Sequence, residues 1–86
     1  MNKILVDIFV PALDKSFDVE LPINLEMKYV LDEIQKAIYE LSDNSYIIND
    51  NVKLYDKSTG YLINMNNIVK YSGLTNGCSV LLVSLW

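Results

Sequence analysis

Residues 25–41, LEMKYVLDEIQKAIYEL, decide how the rest of the chain is read. Met27, Val30, Leu31, Ile34, Ile38 and Leu41 recur at steps of three or four, which places them on one stripe of an α-helix. Glu26, Lys28, Asp32, Glu33, Lys36 and Glu40 lie largely off that stripe. Asn24 is placed to cap the helix, because its side chain can accept from the free amides of the first turn. Glu26 and an Asp32–Lys36 pair suit a water-facing surface. At about 1.5 Å per residue the helix is about 25 Å long, enough to cross one face of a small sheet. No other stretch carries this period so convincingly, so the remainder reads as the sheet beneath it.

Upstream, residues 3–10 (KILVDIFV) alternate as a strand, with Ile4, Val6, Ile8 and Val10 on one face and Lys3, Leu5, Asp7 and Phe9 on the other. Pro11 cannot donate to a ladder and ends it. After a turn at residues 13–15, residues 16–21 (SFDVEL) put Phe17, Val19 and Leu21 inward and Ser16, Asp18 and Glu20 outward. The pair forms a hairpin whose second strand, polar on its outer face, belongs at an edge. Pro22 closes it.

Downstream, residues 42–51 form a polar loop in which Tyr46, Ile47 and Ile48 are expected to tuck under the helix end. Residues 52–55 (VKLY) are a strand with Val52 and Leu54 on one face and Lys53 and Tyr55 on the other. A turn ending at Gly60 leads to a short return strand at 61–63. Residues 64–72 carry Met65, Ile68, Val69 and Tyr71 as a helical turn or two plugging the core's open end, with Gly73 as a left-handed cap. Leu74 points inward, and Asn76-Gly77 is a tight turn. Residues 78–85 (CSVLLVSL) are apolar on both faces, as in a central strand. The last strand beside the first, with the helix packed diagonally across the inner face, is an α+β arrangement: a β-grasp, with a mixed sheet of four to five strands and one helix, in a single domain over residues 1–86.

The totals narrow the function. The 86 residues are 51% apolar, enough for one core, and the net charge is −4. All seven basic residues are lysines, scattered without a basic face, which argues against nucleic acid or anionic membranes as partners. A lone cysteine, Cys78, makes no internal disulfide and fits a reducing cytoplasm. Residues 1–3 show no signal peptide, and the apolar runs are far short of the roughly 20 residues that insert into a bilayer. With no histidine there is no ready general base near neutrality, no triad and no common metal ligand. Gly60, Gly73 and Gly77 are too scattered for a phosphate loop. Asn49-Asp50-Asn51 lacks the glycine and distal glutamate of a calcium loop and reads as a solvated turn. Cys78, on the inward parity of Val80 and Leu82, reads as a small buried hydrophobe. The expectation is a non-enzyme without cofactor.

The hairpin, the triplet Met27, Val30 and Ile34, the VKLY strand, and Leu74 six residues before Val80 together resemble ubiquitin and its relatives over essentially the whole chain. The length, the acidic character and the segment from Tyr71 to Leu82 (YSGLTNGCSVLL) are similar to the YukD/EsaB family. That resemblance implies a small cytosolic ubiquitin-like accessory protein of type VII (WXG100) secretion in Gram-positive bacteria. Its partners would be cytosolic domains of the secretion machinery. The abundance of Asn, Ile, Lys and Tyr fits an AT-rich genome. Two departures from ubiquitin matter. Conjugated modifiers and sulfur carriers need a flexible Gly-Gly tail, whereas this sequence ends Val83-Ser84-Leu85-Trp86. A carrier or modifier activated at its C-terminus is therefore the lesser expectation. Where ubiquitin's docking patch has its central isoleucine, this chain has Lys53, so ubiquitin's receptors should not recognise it.

One feature stands above background. Parity puts Leu5 and Phe9 outward on the first strand and Leu81, Val83 and Leu85 outward on the last. If those strands are neighbours the five converge into a patch of a few hundred Å², the scale at which exposed apolar surface marks a partner. The alternatives are a homodimer or structural self-association through this face, and covering by Trp86, Tyr55 or Tyr61. The acidic helix face (Glu26, Asp32, Glu33 and Glu40) is read as solvated.

Overall fold

The computed structural model describes residues 2–84. Strand β1 (Lys3–Val10) turns through a short 3-10 segment, Pro11–Leu13, into β2 (Lys15–Pro22). Pro11 has no amide to give to a ladder, and Asp14 closes the turn at φ 52°, donating its N–H to the Pro11 carbonyl at 3.1 Å. Helix α1 (Met27–Leu41) follows, then β3 (Val52–Asp56), a second 3-10 turn at Val69–Tyr71, and β4 (Ser79–Ser84). The sheet order is β2-β1-β4-β3, with β1 and β4 parallel and the other pairs antiparallel. This is the ubiquitin-like β-grasp: four strands in a mixed sheet, one helix across it.

The alternating pattern sets the core. Ile4, Val6, Ile8 and Val10 of β1, Val19 and Leu21 of β2, Val52 and Leu54 of β3 and Val80 and Leu82 of β4 all face α1 and are buried. The helix answers with Met27, Val30, Leu31, Ile34 and Ile38. Val69 and Leu74 plug the end, and Cys78 packs against the cluster half-buried. Gly73 and Gly77 hold φ of 91° and 87°, conformations that cost any residue with a Cβ, and they bend the chain into β4.

Several expected details differ. The helix begins at Met27, two residues late, and Asn24 does not cap it. The backbone of Glu26 bridges Ile68, while the Met27 and Lys28 amides donate to the carbonyls of Asn67 (2.8 Å) and Met65 (3.0 Å). The first-turn donors are thus satisfied by backbone from residues 65–67, which leaves the cap side chain without a task. Lys36 pairs with Glu33 at 3.6 Å rather than with Asp32. Leu41, 58% exposed, lies past the point where the core ends at Ile38. Residues 61–63 make no strand: a single bridge joins Leu62 to Tyr55, and among the described residues the sheet has four strands. Tyr71 faces solvent, leaving Val69 and Leu74 to plug the core. The described part of β4 starts at Ser79, after the turn at Asn76-Gly77 has released the chain.

The loop after α1 departs most from expectation. Tyr46 is 3% exposed, but Ile47 and Ile48 face solvent. The cause is Gln35, a polar residue inside the core at 2% exposure. Its Oε1 accepts the Tyr46 hydroxyl (2.9 Å) and the Asn49 amide (3.1 Å), and its Nε2 donates to the Asn49 carbonyl (3.0 Å). One side-chain amide therefore satisfies a phenol and both backbone groups of a residue 14 positions away. The loop's path is fixed, and the two isoleucines between those anchors are turned outward.

Removing that amide strands three polar groups and opens a void. Gln35→Ala is expected to cost about 2–4 kcal/mol in urea denaturation, with near-native rates of change of stability with urea. Tyr46→Phe leaves Gln35 still bonded to Asn49 and should cost about 1 kcal/mol. Burial holds the Tyr46 phenol above its ordinary pKa of 10.0, the Ser84 hydroxyl beside it opposing in part. The folded state therefore keeps this proton longer than the unfolded chain. The stabilisation is complete below pH 10 and is lost as pH rises through the folded value. Tyr46→Phe should flatten that alkaline fall, measured as denaturation midpoints from pH 8 to pH 11.

Candidate docking face

The face of the sheet away from α1 is built by the parallel register of β1 and β4. Asp7 lies opposite Ser79, Ile8 opposite Val80 and Phe9 opposite Leu81. On the far side of β4, Leu81 pairs with Tyr55 and Val83 with Lys53. Side chains alternate along each strand, so Phe9, Leu81 and Tyr55 form one outward row across three strands. Val83 and Lys53 form the adjacent row. Phe9, Leu81, Val83 and Tyr55 are half-buried, and Lys53 is exposed. Lys57, whose amide donates to the Ser79 carbonyl at 3.0 Å, carries its Nζ 5.2 Å from the centre of the Phe9 ring. A cation over the ring face is favourable, and it gives the apolar row a positive border.

Leu5 stands apart. Between it and Phe9 on the outer face lies Asp7, which accepts from the Ser79 hydroxyl at 3.3 Å and sits opposite Asp18 of β2. Leu5 is 44% exposed and pairs with Glu20 on one side. Its backbone amide donates to Asn76 Oδ1 at 2.8 Å, and its carbonyl accepts from Gly77 at 2.7 Å. Of the five positions expected to converge, Phe9, Leu81 and Val83 are thus gathered, Leu5 is divided from them by a polar row, and Leu85 lies outside the described residues. So does Trp86, one of the three side chains considered as a cover. Tyr55 belongs to the row itself, as its parity with Lys53 indicates, and Tyr61 stands free in solvent. No sequence pattern marks Lys57, a turn lysine that reaches back over a ring.

The face offers a flat apolar strip with lysines at two borders and a carboxylate row beyond. Among the described residues no three His, Cys, Asp or Glu side chains come together as metal ligands, and no helix is long and apolar enough to cross a membrane. At the far end of β3, the Asp56 carboxylate accepts from the hydroxyl (2.8 Å) and the amide (2.9 Å) of Ser58, which hold it below the usual carboxylate range. This orders the turn that carries Lys57.

The chain matches no protein-family profile and no curated protein sequence. Solved structures do resemble it. The ubiquitin-like domain of EccD5 from Mycobacterium xenopi superposes with a TM-score of 0.78 at 15% identity, covering 99% of this chain and 97% of that one. The ubiquitin-like domain of the Mycobacterium tuberculosis type VII secretion protein EccD1 gives 0.75 at 15% identity, over 98% and 100%. A chain of the MycP5-free ESX-5 inner membrane complex gives 0.78 at 10% identity, over 99% of this chain and 21% of that one. At these identities the likeness establishes the ubiquitin-like fold.

If the outer row is a contact surface rather than a second core, its side chains carry little of the stability. Phe9→Ala and Leu81→Ala should each cost about 1 kcal/mol, against about 3 kcal/mol for Ile8→Ala on the buried face, in parallel urea titrations. Equal losses on both faces would identify the row as structural.

Proposed function

We propose that this domain is a non-enzymatic accessory or regulatory component of a bacterial type VII secretion system, of the YukD/EsaB kind, acting in the cytoplasm by docking onto cytosolic domains of the secretion machinery. The observation that supports the reading is the outward-facing strip of Phe9, Leu81, Tyr55 and Val83 on a β-grasp sheet. One of the solved structures it resembles is itself the ubiquitin-like domain of a type VII secretion system protein, EccD1, and another is that of EccD5. The absence of histidine from the sequence fits a binding role better than acid–base catalysis. In this reading the apolar row supplies the buried centre of the contact, and Lys53 and Lys57 at its rim set orientation against a partner bearing carboxylates.

The deciding experiment is affinity capture of a tagged copy from its own cells, with mass spectrometry of what accompanies it, repeated with Leu81→Asp and Phe9→Asp. The native chain should recover secretion-machinery components and the two variants should not, while both variants keep the native circular dichroism spectrum. Unchanged recovery by both variants would remove the face from the proposal. Recovery of no secretion component by the native chain would remove the secretion role.

A further inference from the structure

At the end of the molecule where α1 stops, three segments enclose a shallow groove of about 170 Å³. Among the described residues it is lined by Ala12 and Leu13 of the hairpin turn, Ser45, Tyr46 and Ile47 of the loop after α1, and Ser84 of β4. It lies off the outer row described above and depends on none of it. Tyr46 is a fixed wall, because its hydroxyl is held by Gln35. Ser84 is positioned by Asn49, whose Nδ2 reaches its Oγ at 3.4 Å. Ile47, 68% exposed, presents its apolar side chain at the groove's edge.

Size and charge together define the occupant. A cavity of about 150 Å³ accepts a benzene molecule, so this groove has room for one Leu or Phe side chain. The chain neighbours of the lining residues are mainly acidic: Asp14 follows Leu13, Asp43 precedes Ser45 by two positions and Asp50 follows Ile47 by three, with Lys15 the opposing charge. Asp14 and Asp43 hold positive φ, 52° and 56°, at the two turns that bound the groove. Helix α1, which ends four residues before Ser45, has no basic residue in its last turn to compensate its negative pole.

The geometry points to a docking site for a basic protein segment that inserts one large apolar side chain between Leu13 and Ile47 while its lysines or arginines face Asp14, Asp43 and the helix end. Ile47 and Leu13 clasp the apolar side chain, and the carboxylates speed and orient the encounter in a salt-dependent way. The site is a second surface, so a partner bound there leaves the sheet face free.

The test is a ¹H–¹⁵N NMR titration of the whole chain with the end-capped peptide Lys-Lys-Leu-Phe-Lys-Lys, beside Lys-Lys-Ser-Ser-Lys-Lys and Glu-Glu-Leu-Phe-Glu-Glu. The first peptide should shift the amides of Leu13, Tyr46, Ile47 and Ser84, and neither control should. Ile47→Lys, at an exposed position, should weaken binding about ten-fold. The Asp14→Asn, Asp43→Asn double variant keeps residues that tolerate positive φ and should weaken it several-fold while abolishing most of its salt dependence. Shifts confined to Phe9, Leu81 and Val83, equal binding of the acidic peptide, or unchanged affinity in Ile47→Lys would each overturn the site. So would nuclear Overhauser contacts between the Trp86 indole and the Ile47 methyls in the free protein, which would show the groove already filled by its own chain.

Discussion

The parallel seam between β1 and β4 is the constraint on which the rest depends. The hairpin β1–β2 is local, and β3–β4 is a separate antiparallel pair; only the seam joins them into one sheet. Its register spans three residue pairs, Asp7–Ser79, Ile8–Val80 and Phe9–Leu81. It is reinforced where β4 begins, by the Asp7 amide on the Cys78 carbonyl and by Asn76 and Gly77 on the backbone of Leu5. Ile8 and Val80 at its centre are wholly buried. Parallel neighbours need a long crossover, and here it contains the helix, the Gln35-anchored loop and β3. The same register also makes the candidate docking face. A slip of one residue would turn Leu81 into the core and Val80 out to solvent.

The two-residue and 3.6-residue periods made much of this legible. Strand β1, the inward set of every strand, the helix stripe through Ile38 and the edge position of β2 follow from alternation and amphipathicity alone. Gln35 could not be read that way. It follows Ile34 at the margin of the apolar stripe, where a glutamine is as suited to water as to burial, and its partners lie in an aperiodic loop. The same loop carries Ile47 and Ile48, whose apolar character predicts burial, but their direction is set by where Gln35 grips the backbone. The helix start was obscured for a related reason. Carbonyls of residues 65–67 replace the expected cap, and a backbone acceptor leaves no mark on the sequence. At the outer face, parity assigns Phe9, Leu81 and Val83 to one side, but the distance between Leu5 and Leu81 depends on the stagger of two strands some 70 residues apart, which parity does not contain.

The two surfaces are supported differently. The sheet face is a consequence of ladder geometry, stiff because its rows are tied through the core strands. The groove at the helix end is a consequence of one buried amide, and its walls come from three segments distant in sequence. Loss of Gln35 would therefore loosen the groove while the strip of Phe9, Leu81 and Tyr55 kept its register. Opening of residues 42–51 is resisted chiefly by Tyr46 and the Gln35 bonds to Asn49, since few of the loop's other side chains enter the core.

Among the described residues strand β2 has a neighbour on one side only, whereas β3, at the opposite margin, is partly screened by the Leu62 bridge and the Ile63 amide. A row of backbone donors and acceptors eight residues long is thus left open along β2. Such a row is a template for the same strand of another molecule, and a chain rich in Val, Ile and Leu is poorly placed to survive that pairing. Protection comes from Asp18 and Glu20, which would meet their like in an approaching copy, and from Pro22, which shortens the usable ladder. Their value lies in encounters that do not happen: they keep a sheet-forming sequence from polymerising through its margin.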